Sequence, residues 1–220
     1  MSIKKILKTI VIGLYRLSMI GLSKGSHLTR YYVYKHLSTF AEPRSKDLKV
    51  LSISGSQYLG RLLGFDDKQI KNVSYPEFNV LNLPFRDGEF DAVVSDYVLE
   101  HIEGSPQSAI DEMFRILRPN GVLLLTTNLI YPVHAAPNDY WRFTPDALVL
   151  LTKQHGDILD VGGWGNPCIL LAIALGLWSQ PTPHARWHPA HWLATKNIER
   201  WAIGTWVLVK KSSRVTRCWT

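Results

Sequence analysis

The fold is decided by a stretch that opens with LPFRDGEFDAVVSDYVLEHI (residues 83–102) and closes with RILRPNGVLLLTTN (residues 115–128). Residues 90–95 are a short apolar run after an Asp-Gly turn, which is typical of a buried strand. Residues 106–117 carry apolar side chains at helical spacing, and a Pro-Asn-Gly break separates them from a second buried run at 122–127. Strand, helix and strand form a βαβ unit, so we expect parallel strands with a right-handed crossover.

Four short motifs lie in this stretch, and a fifth follows it. In order they are Leu-Pro-Phe (83–85), Phe-Asp-x-Val-x-Ser (90–95), Val-Leu-Glu-His-Ile (98–102), Arg-x-Leu-x-Pro-x-Gly (115–121) and Pro-Asn-Asp-Tyr-Trp-Arg-Phe-Thr-Pro (137–145). Together they resemble the class I S-adenosylmethionine (SAM)-dependent methyltransferases, and in particular the type 11 group of small-molecule methyltransferases. The resemblance implies an α/β fold: a Rossmann-like three-layer α/β/α sandwich with a mostly parallel sheet and an antiparallel last strand.

The resemblance also implies a SAM site in the loop after the first strand. In the family this loop holds an acidic residue and several glycines. Here Ser52 stands at the acidic position, Ser54 and Ser56 replace glycines, and Gly55 alone remains in the turn. Serine is small and offers a hydroxyl, so these four residues are predicted to cradle the cofactor. Without the neighbouring motifs, Ser-Gly-Ser before a helix is more often an ordinary turn and N-cap than a cofactor loop.

Two further segments are expected to contact SAM. Asn79, followed by Val80, stands where the family often has an aspartate that meets the adenine amine, and an asparagine amide oxygen can accept the same hydrogen bond. Ser95, Asp96 and Tyr97 end the second motif's strand, and ligands of open α/β sheets bind beyond the carboxyl ends of strands. The sequence assigns no residue to the cofactor ribose.

The loop after the next strand, 128–142, holds the candidate catalytic residues. Methyl transfer is an in-line displacement that needs alignment, and a hydroxyl acceptor also needs a base. His134 and Asp139 are candidates for that base, together with His101 of the earlier motif. The alternative for His101 is a capping or packing role.

The same loop holds three candidate substrate-binding residues. Arg142 could hold a carboxylate or phosphate, and Tyr140 and Trp141 could line a sugar ring or face the sulfonium cation. Family members with a similar segment are often found with surface-glycan synthesis genes, so a small-molecule or glycan-related acceptor is expected. The alternative is that Trp141 pins the loop while Asp139 and Arg142 pair with each other.

The altered loop after the first strand leaves a rival hypothesis open. A hydrogen bond to a charged group is worth about 1.5–3 kcal/mol, so losing one would weaken cofactor binding about 10- to 100-fold. The chain is therefore either an active methyltransferase, with oxygen as the first choice of acceptor atom, or a catalytically silent methyltransferase-like domain that binds or scaffolds.

The first 23 residues are basic and apolar. Such a helix either makes peripheral contact with an anionic membrane through residues 1–23 or packs over its own domain. The apolar stripe consists of Ile3, Ile6, Leu7, Ile10, Val11, Leu14 and Leu17, and the basic residues away from it are Lys4, Lys5, Lys8 and Arg16. Lys8 interrupts the apolar run, which argues against a signal peptide.

The chain has 25 Lys and Arg against 18 Asp and Glu, a formal net charge of +7. That balance suits an acidic substrate or an anionic membrane, or is simply a basic surface. The sequence has no basic-aromatic platform and no base-flipping signature, so no nucleic-acid partner is expected. Cys168 and Cys218 stand alone, which argues against a disulfide scaffold and fits a cytoplasmic location, with or without membrane association.

The predicted organisation is an N-terminal helical extension (1–45), a methyltransferase-like domain (46–211) and a basic tail (212–220). An insertion at about 164–202 is expected to fold over the substrate pocket. Its histidines His184, His188 and His191 lie among prolines, with no carboxylate at a standard ligand spacing, so no metal site is predicted.

Overall fold

A computed structural model describes residues 3–135 and 137–213 of the chain. Most of the predicted basic tail, with Cys218, lies outside the described residues. The helices are α1 (Ile3–Ser18), α2 (Tyr31–Leu37), α3 (Gln57–Leu62), α4 (Pro106–Ile116), α5 (Pro145–Thr152), α6 (Pro167–Ala174) and α7 (Pro189–Thr195). The strands are β1 (Lys24–His27), β2 (Val50–Ile53), β3 (Ile70–Val73), β4 (Phe90–Asp96), β5 (Leu117–Asn128), β6 (Gly156–Trp164), β7 (Pro181–Pro183) and β8 (Gly204–Lys211).

Six strands form the central sheet, in the order β3-β2-β4-β5-β8-β6. The first four pair in parallel, and β8 runs antiparallel between β5 and β6. This confirms the predicted Rossmann-like α/β fold, including its antiparallel last strand. The chain leaves β2 for β3 on one side and returns to β4 on the other. That reversal is where open α/β sheets bind ligands, beyond the carboxyl ends of the strands.

Both faces of the sheet are covered by helices because strand residues alternate between the faces. On β4, Val93 belongs to a core that contains Met113 and Phe114 of α4. Its neighbour Val94 belongs to a second core, which contains Leu59 of α3. The two cores make the three layers of the sandwich.

The sequence pattern also predicts a helix over 27–40, a helix over 168–178 and a strand over 157–161 that ends in a glycine-rich turn. These three elements have different bounds in the structure. The helix predicted over 27–40 begins only at Tyr31, because residues 24–27 pair with β7. The helix predicted over 168–178 ends at Ala174, where the positive φ of Gly176, 85°, closes it. The strand predicted over 157–161 continues to Trp164.

The longer β6 replaces a predicted glycine turn. Gly162 and Gly163 stay in the ladder with β8. A side chain is excluded there, since a Cβ at Gly162 would lie 2.6 Å from the Trp206 ring. These glycines therefore provide room for packing rather than a turn.

The N-terminal segment and the insertion pack against each other. β1 pairs antiparallel with β7, and Tyr15 of α1 donates a hydrogen bond to the Pro181 carbonyl at 2.7 Å. The packed side of this segment carries Tyr15 of α1 and the buried Met19, which follows the helix. The division of the chain at residue 45 remains a prediction.

The predicted apolar stripe of α1 is not the packed face. Leu7, Ile10, Leu14 and Leu17 are each more than half exposed; the side chain of Ile3 lies outside the described part. None of the described helices is long and apolar enough to cross a bilayer.

Candidate active site

A cavity of about 650 Å³ lies where the parallel strands end, and we call it the rim cavity. Its walls come from the loop after β2, the segment after β3, the turn after β4 and residues 137–140. Five predicted cofactor residues line it: Ser54, Gly55, Asn79, Val80 and Tyr97. Motifs that are separate in the sequence thus converge on one space.

The loop after β2 turns sharply at Ser54 and Gly55, whose φ angles are 53° and 81°. Glycine adopts this conformation freely, and other residues do so at a cost. The Gly55 N–H donates to Asn72 Oδ1 at 3.0 Å, which anchors the turn. A Cβ built at Gly55 would meet no atom within 4 Å, so the backbone is open to a ligand at this point.

Three other predicted cofactor residues, Ser52, Ser56 and Ser95, are buried and do not line the rim cavity. Ser52 Oγ donates to Asn72 Oδ1 at 2.8 Å. Ser56 Oγ accepts a hydrogen bond from the Asp96 N–H at 2.7 Å, which ties the β2 loop to the end of β4. Ser52 and Ser56 hold the shape of the cofactor loop instead of facing its space.

Asp96 does not line the rim cavity either. Its carboxylate accepts hydrogen bonds from Tyr34 and Thr126, each at 2.5 Å, and lies 3.7 Å from Arg30 Nε. The Arg30 guanidinium stacks 3.4 Å from the centroid of the Tyr97 ring. Burial raises the pKa of Tyr97 to about 12, so its hydroxyl stays neutral. Sequence reasoning missed Arg30 and Tyr34, because only tertiary packing brings them to this strand end.

Residues 134–142, which we call the flap, are held by Asp139; Ala136 within them is outside the described residues. Arg142 donates to both carboxylate oxygens of Asp139, and the backbone N–H of His134 donates to one of them at 2.9 Å. The hydrogen bond from Arg142 holds the pKa of Asp139 well below its usual range. Such a carboxylate is a weak base, and Arg142 is already occupied. The geometry matches the alternative in which these two residues pair.

The flap's aromatic residues divide between two tasks. Tyr140 lines the rim cavity. Trp141 does not; its Nε1–H donates to the Ile102 carbonyl at 3.0 Å. The backbone N–H groups of both residues donate to the Glu100 carbonyl, so the flap is docked on the turn after β4. Of the three predicted substrate residues, only Tyr140 reaches the rim cavity.

Two predicted catalytic histidines meet beside this cavity. The rings of His101 and His134 lie edge to face with centroids 4.9 Å apart, and His101 lines the cavity. His101 Nδ1 lies 2.5 Å from the Asn138 carbonyl oxygen. A carbonyl only accepts, so Nδ1 carries the proton and Nε2 is left as a base. Burial lowers the pKa of His134, so that ring is uncharged at pH 7.

Glu100 lies in the motif at residues 98–102 and has no role predicted from the sequence, yet it is fully buried. Its carboxylate accepts hydrogen bonds from Thr127 at 2.9 Å and Asn128 at 2.6 Å, and burial raises its pKa. The potential ligand atoms of Glu100, His101 and His134 lie within 4.8 Å of one another, close enough for one cation. The Glu100 carboxyl is already hydrogen-bonded, and its raised pKa favours the neutral form. We therefore assign it to the hydrogen bonds with Thr127 and Asn128 rather than to a metal. The absence of a metal remains a prediction.

A second cavity, of about 1020 Å³, lies between the N-terminal segment and the insertion, and we call it the basic cavity. Residues from 24 to 38 form one wall, and residues from 178 to 191 form another. The insertion thus borders this cavity and not the rim cavity. His184, His188 and His191, weighed as metal ligands, each hydrogen-bond within the chain.

Residues 42–125 match the family model described as a methyltransferase domain, of type 11. This match confirms the resemblance to the class I methyltransferases that the motifs predicted. A stretch of 49 residues is 45% identical to 2-phytyl-1,4-naphtoquinone methyltransferase of Nostoc sp., which is 22% of this chain and 21% of that one. The chain spans between about a fifth and two fifths of the length of the curated relatives it matches.

Solved structures support the same fold for this chain. The [4+2]-cyclase SpnF aligns with a TM-score of 0.54 at 14% identity, over 83% of this chain and 80% of that one. Phosphoethanolamine N-methyltransferase 2 of Haemonchus contortus, solved in complex with SAM, aligns with a TM-score of 0.50 at 13% identity, over 82% and 52%. One neighbour is a cyclase, so the fold alone does not fix the reaction.

Proposed function

We propose that this chain transfers a methyl group from SAM to a hydroxyl oxygen of a small-molecule or glycan-related acceptor. The observation that carries the proposal is the rim cavity. It lies at the strand ends where this fold binds ligands, motif residues line it, and an imidazole with a defined free nitrogen stands in its wall.

The residues of the rim cavity fit the cofactor. A volume of about 650 Å³ is within the range of small-molecule sites. The open backbone at Gly55 and the neighbouring Ser54 would hold the methionine part, and Asn79 and Val80 the adenine. Glu103, a carboxylate in the cavity wall, is the candidate for the ribose hydroxyls. When bound, SAM supplies an electrophilic methyl group on a sulfonium.

We assign the base to His101. Its Nδ1–H is held by the Asn138 carbonyl, so Nε2 is free to accept the proton of the acceptor hydroxyl. His134 packs against this ring as an uncharged neighbour and does not line the cavity. The pair of Asp139 and Arg142 fixes the flap segment that carries the Asn138 carbonyl, so these residues position the base.

A two-stage experiment tests this function. Calorimetric titration with SAM is expected to show binding; its absence at millimolar cofactor would favour the silent domain. Release of S-adenosylhomocysteine is then measured over a panel of hydroxylated sugars and small molecules. His101→Gln is expected to lower turnover by at least about 100-fold while SAM affinity changes less than about threefold. Equal turnover in the variant would remove His101 as the base.

We also propose that α1 contacts an anionic membrane surface. The outward stripe of α1 is apolar, with Leu14 62% and Leu17 63% exposed. Lys5, Lys8 and Arg16 on the same helix are also exposed. An amphipathic helix with cationic flanks suits a bilayer with acidic headgroups.

Vesicle flotation tests the membrane contact. The full chain is expected to float with vesicles that contain phosphatidylglycerol and not with phosphatidylcholine alone. The double variant Leu14→Glu/Leu17→Glu should lose flotation. Leu150→Glu/Leu159→Glu is the matched control, because these leucines are 63% and 48% exposed elsewhere on the surface. Unchanged flotation of the first variant would discard the contact.

A further inference from the structure

We infer that the basic cavity binds the phosphate group of the methyl acceptor, an inference that rests on the proposed methyl transfer. Its lining side chains include four cations and three imidazoles, and no aspartate or glutamate of the described residues lines it. The cations are Lys24, Arg30, Lys35 and Arg186, and the imidazoles belong to His27, His184 and His191. A concave site lined by charges of one sign concentrates counter-ions of the other.

Three of these four cations have no ion-pair partner in the part of the chain that the structure describes, whereas Arg30 lies 3.7 Å from Asp96. Lys24, Lys35 and Arg186 are exposed, and no ion pair joins any of them to an acidic group in the described residues. Elsewhere, some exposed arginines do have acidic partners, as Arg61 has Asp67 at 2.6 Å. A set of unpaired cations around one concavity is therefore available to an external anion.

The remaining lining groups suit a phosphorylated polar ligand. Tyr31, Tyr34 and Tyr58 lie in the wall, and Trp178 offers an aromatic surface. The Tyr34 hydroxyl already donates to Asp96 and the Tyr31 hydroxyl lies 3.1 Å from His184 Nδ1, so Tyr58 is the candidate hydroxyl donor. Phosphate oxygens accept hydrogen bonds from hydroxyl groups and cationic side chains, and an aromatic face suits a sugar ring.

The basic cavity shares a wall with the rim cavity. Arg30 lines the first and Tyr97 lines the second, and their side chains stack on each other. Tyr34, also in the basic cavity, hydrogen-bonds Asp96 at the end of β4. An acceptor with its phosphate among the cations would extend past Arg30 towards the cofactor residues. The placement therefore assigns the phosphate to one cavity and the reacting hydroxyl to the other.

The test uses the full chain and inorganic phosphate as probe, titrated by calorimetry at low salt. We expect saturable binding that weakens as salt rises. Lys35→Ala/Arg186→Ala should weaken it at least about tenfold. The control is Lys68→Ala/Lys153→Ala, which removes two exposed lysines away from the cavity and should change affinity less than about twofold. No binding to the wild type, or equal weakening in the control, would overturn the inference.

SAM binding, measured on the same variants, separates this inference from the proposed function. SAM binding without phosphate binding sinks the phosphate site and leaves methyl transfer standing. If the wild type binds phosphate but not SAM, the proposed methyl transfer fails and the phosphate site remains.

Two further arms identify the source of the phosphate. One uses a phosphorylated monosaccharide beside its unphosphorylated parent, and the other uses phosphatidylglycerol vesicles with the α1 stripe variant. Binding in either arm that depends on Lys35 and Arg186 supports the inference. Binding in neither arm contradicts it.

Discussion

The rim cavity and the basic cavity are built in opposite ways. Except for the flap, the rim cavity is made by segments between residues 53 and 103, each a short step from a strand end. The basic cavity joins residues 24–38 to residues 178–191 across the pairing of β1 with β7. Local sequence motifs therefore form the rim cavity, whereas the basic cavity forms only when distant parts of the chain pack together.

The two cavities also differ in charge. Glu103 is a carboxylate in the rim cavity, and the basic cavity has four cations. A neutral or cationic ligand suits the first, and an anion suits the second. If the two sites are distinct, substitutions can separate their ligands.

The largest separation is expected from Gly55→Val. A β-branched residue at a φ of 81° is strained, and its side chain would enter the space at the cofactor loop. We expect SAM affinity to fall at least about 100-fold, with phosphate affinity unchanged.

Gly21→Val is the matched control for Gly55→Val. Gly21 has a φ of 75° and also has no atom within 4 Å of a built Cβ, but it lies outside both cavities. It should show similar strain in denaturant unfolding and normal SAM affinity. Equal loss of SAM binding in both variants would mean that strain, and not the ligand space, was measured.

The flap is expected to give the next effect, through Asp139→Asn. The native pKa of Asp139 is depressed, so its pairing stabilises the fold fully above its unfolded pKa of about 3.9. That contribution is lost as pH falls below this value towards the lower native pKa. At pH 7 the variant should lose about 2 kcal/mol of unfolding free energy, since charge-assisted hydrogen bonds disappear.

Urea unfolding at pH 7, 4 and 3 checks this prediction. The wild type should lose more stability on acidification than Asp139→Asn does. Asp67→Asn removes an exposed carboxylate paired with Arg61 and should differ from the wild type by less than about 1 kcal/mol. Parallel acid curves for wild type and Asp139→Asn would contradict the role of the pair.

Arg30→Ala is the variant expected to affect both cavities, because Arg30 lines one and covers the Tyr97 ring of the other. Loss of the stacking and of the Asp96 pair should weaken phosphate and SAM binding about three- to tenfold each. Calorimetry with both ligands measures the effect. A change confined to one ligand would show that the wall between the cavities is not shared.

The sequence predicted the sheet because its strands depend on short-range patterns, and Ser54 and Gly55 of the predicted cofactor loop line the rim cavity. Apolar runs located the parallel strands, and the motif at 98–102 brought in His101. The sequence could not reveal that Asp139 is paired with Arg142, since spacing does not distinguish a paired carboxylate from a free base. Arg30 gave no signal, because its partners Asp96 and Tyr97 are reached only through tertiary packing.

The smallest effect concerns stability in the basic cavity. Lys35 and Arg186 are exposed and unpaired within the described residues, so Lys35→Ala/Arg186→Ala should leave the unfolding free energy within about 0.5 kcal/mol of wild type. Clustered like charges repel one another, so removing two of them can even stabilise the fold slightly. Urea unfolding and the phosphate titration, measured on the same variant, distinguish a role in stability from a role in phosphate binding. A loss above about 1.5 kcal/mol would mean that these cations support the fold, whereas weaker phosphate binding at unchanged stability is what a site kept for a ligand requires.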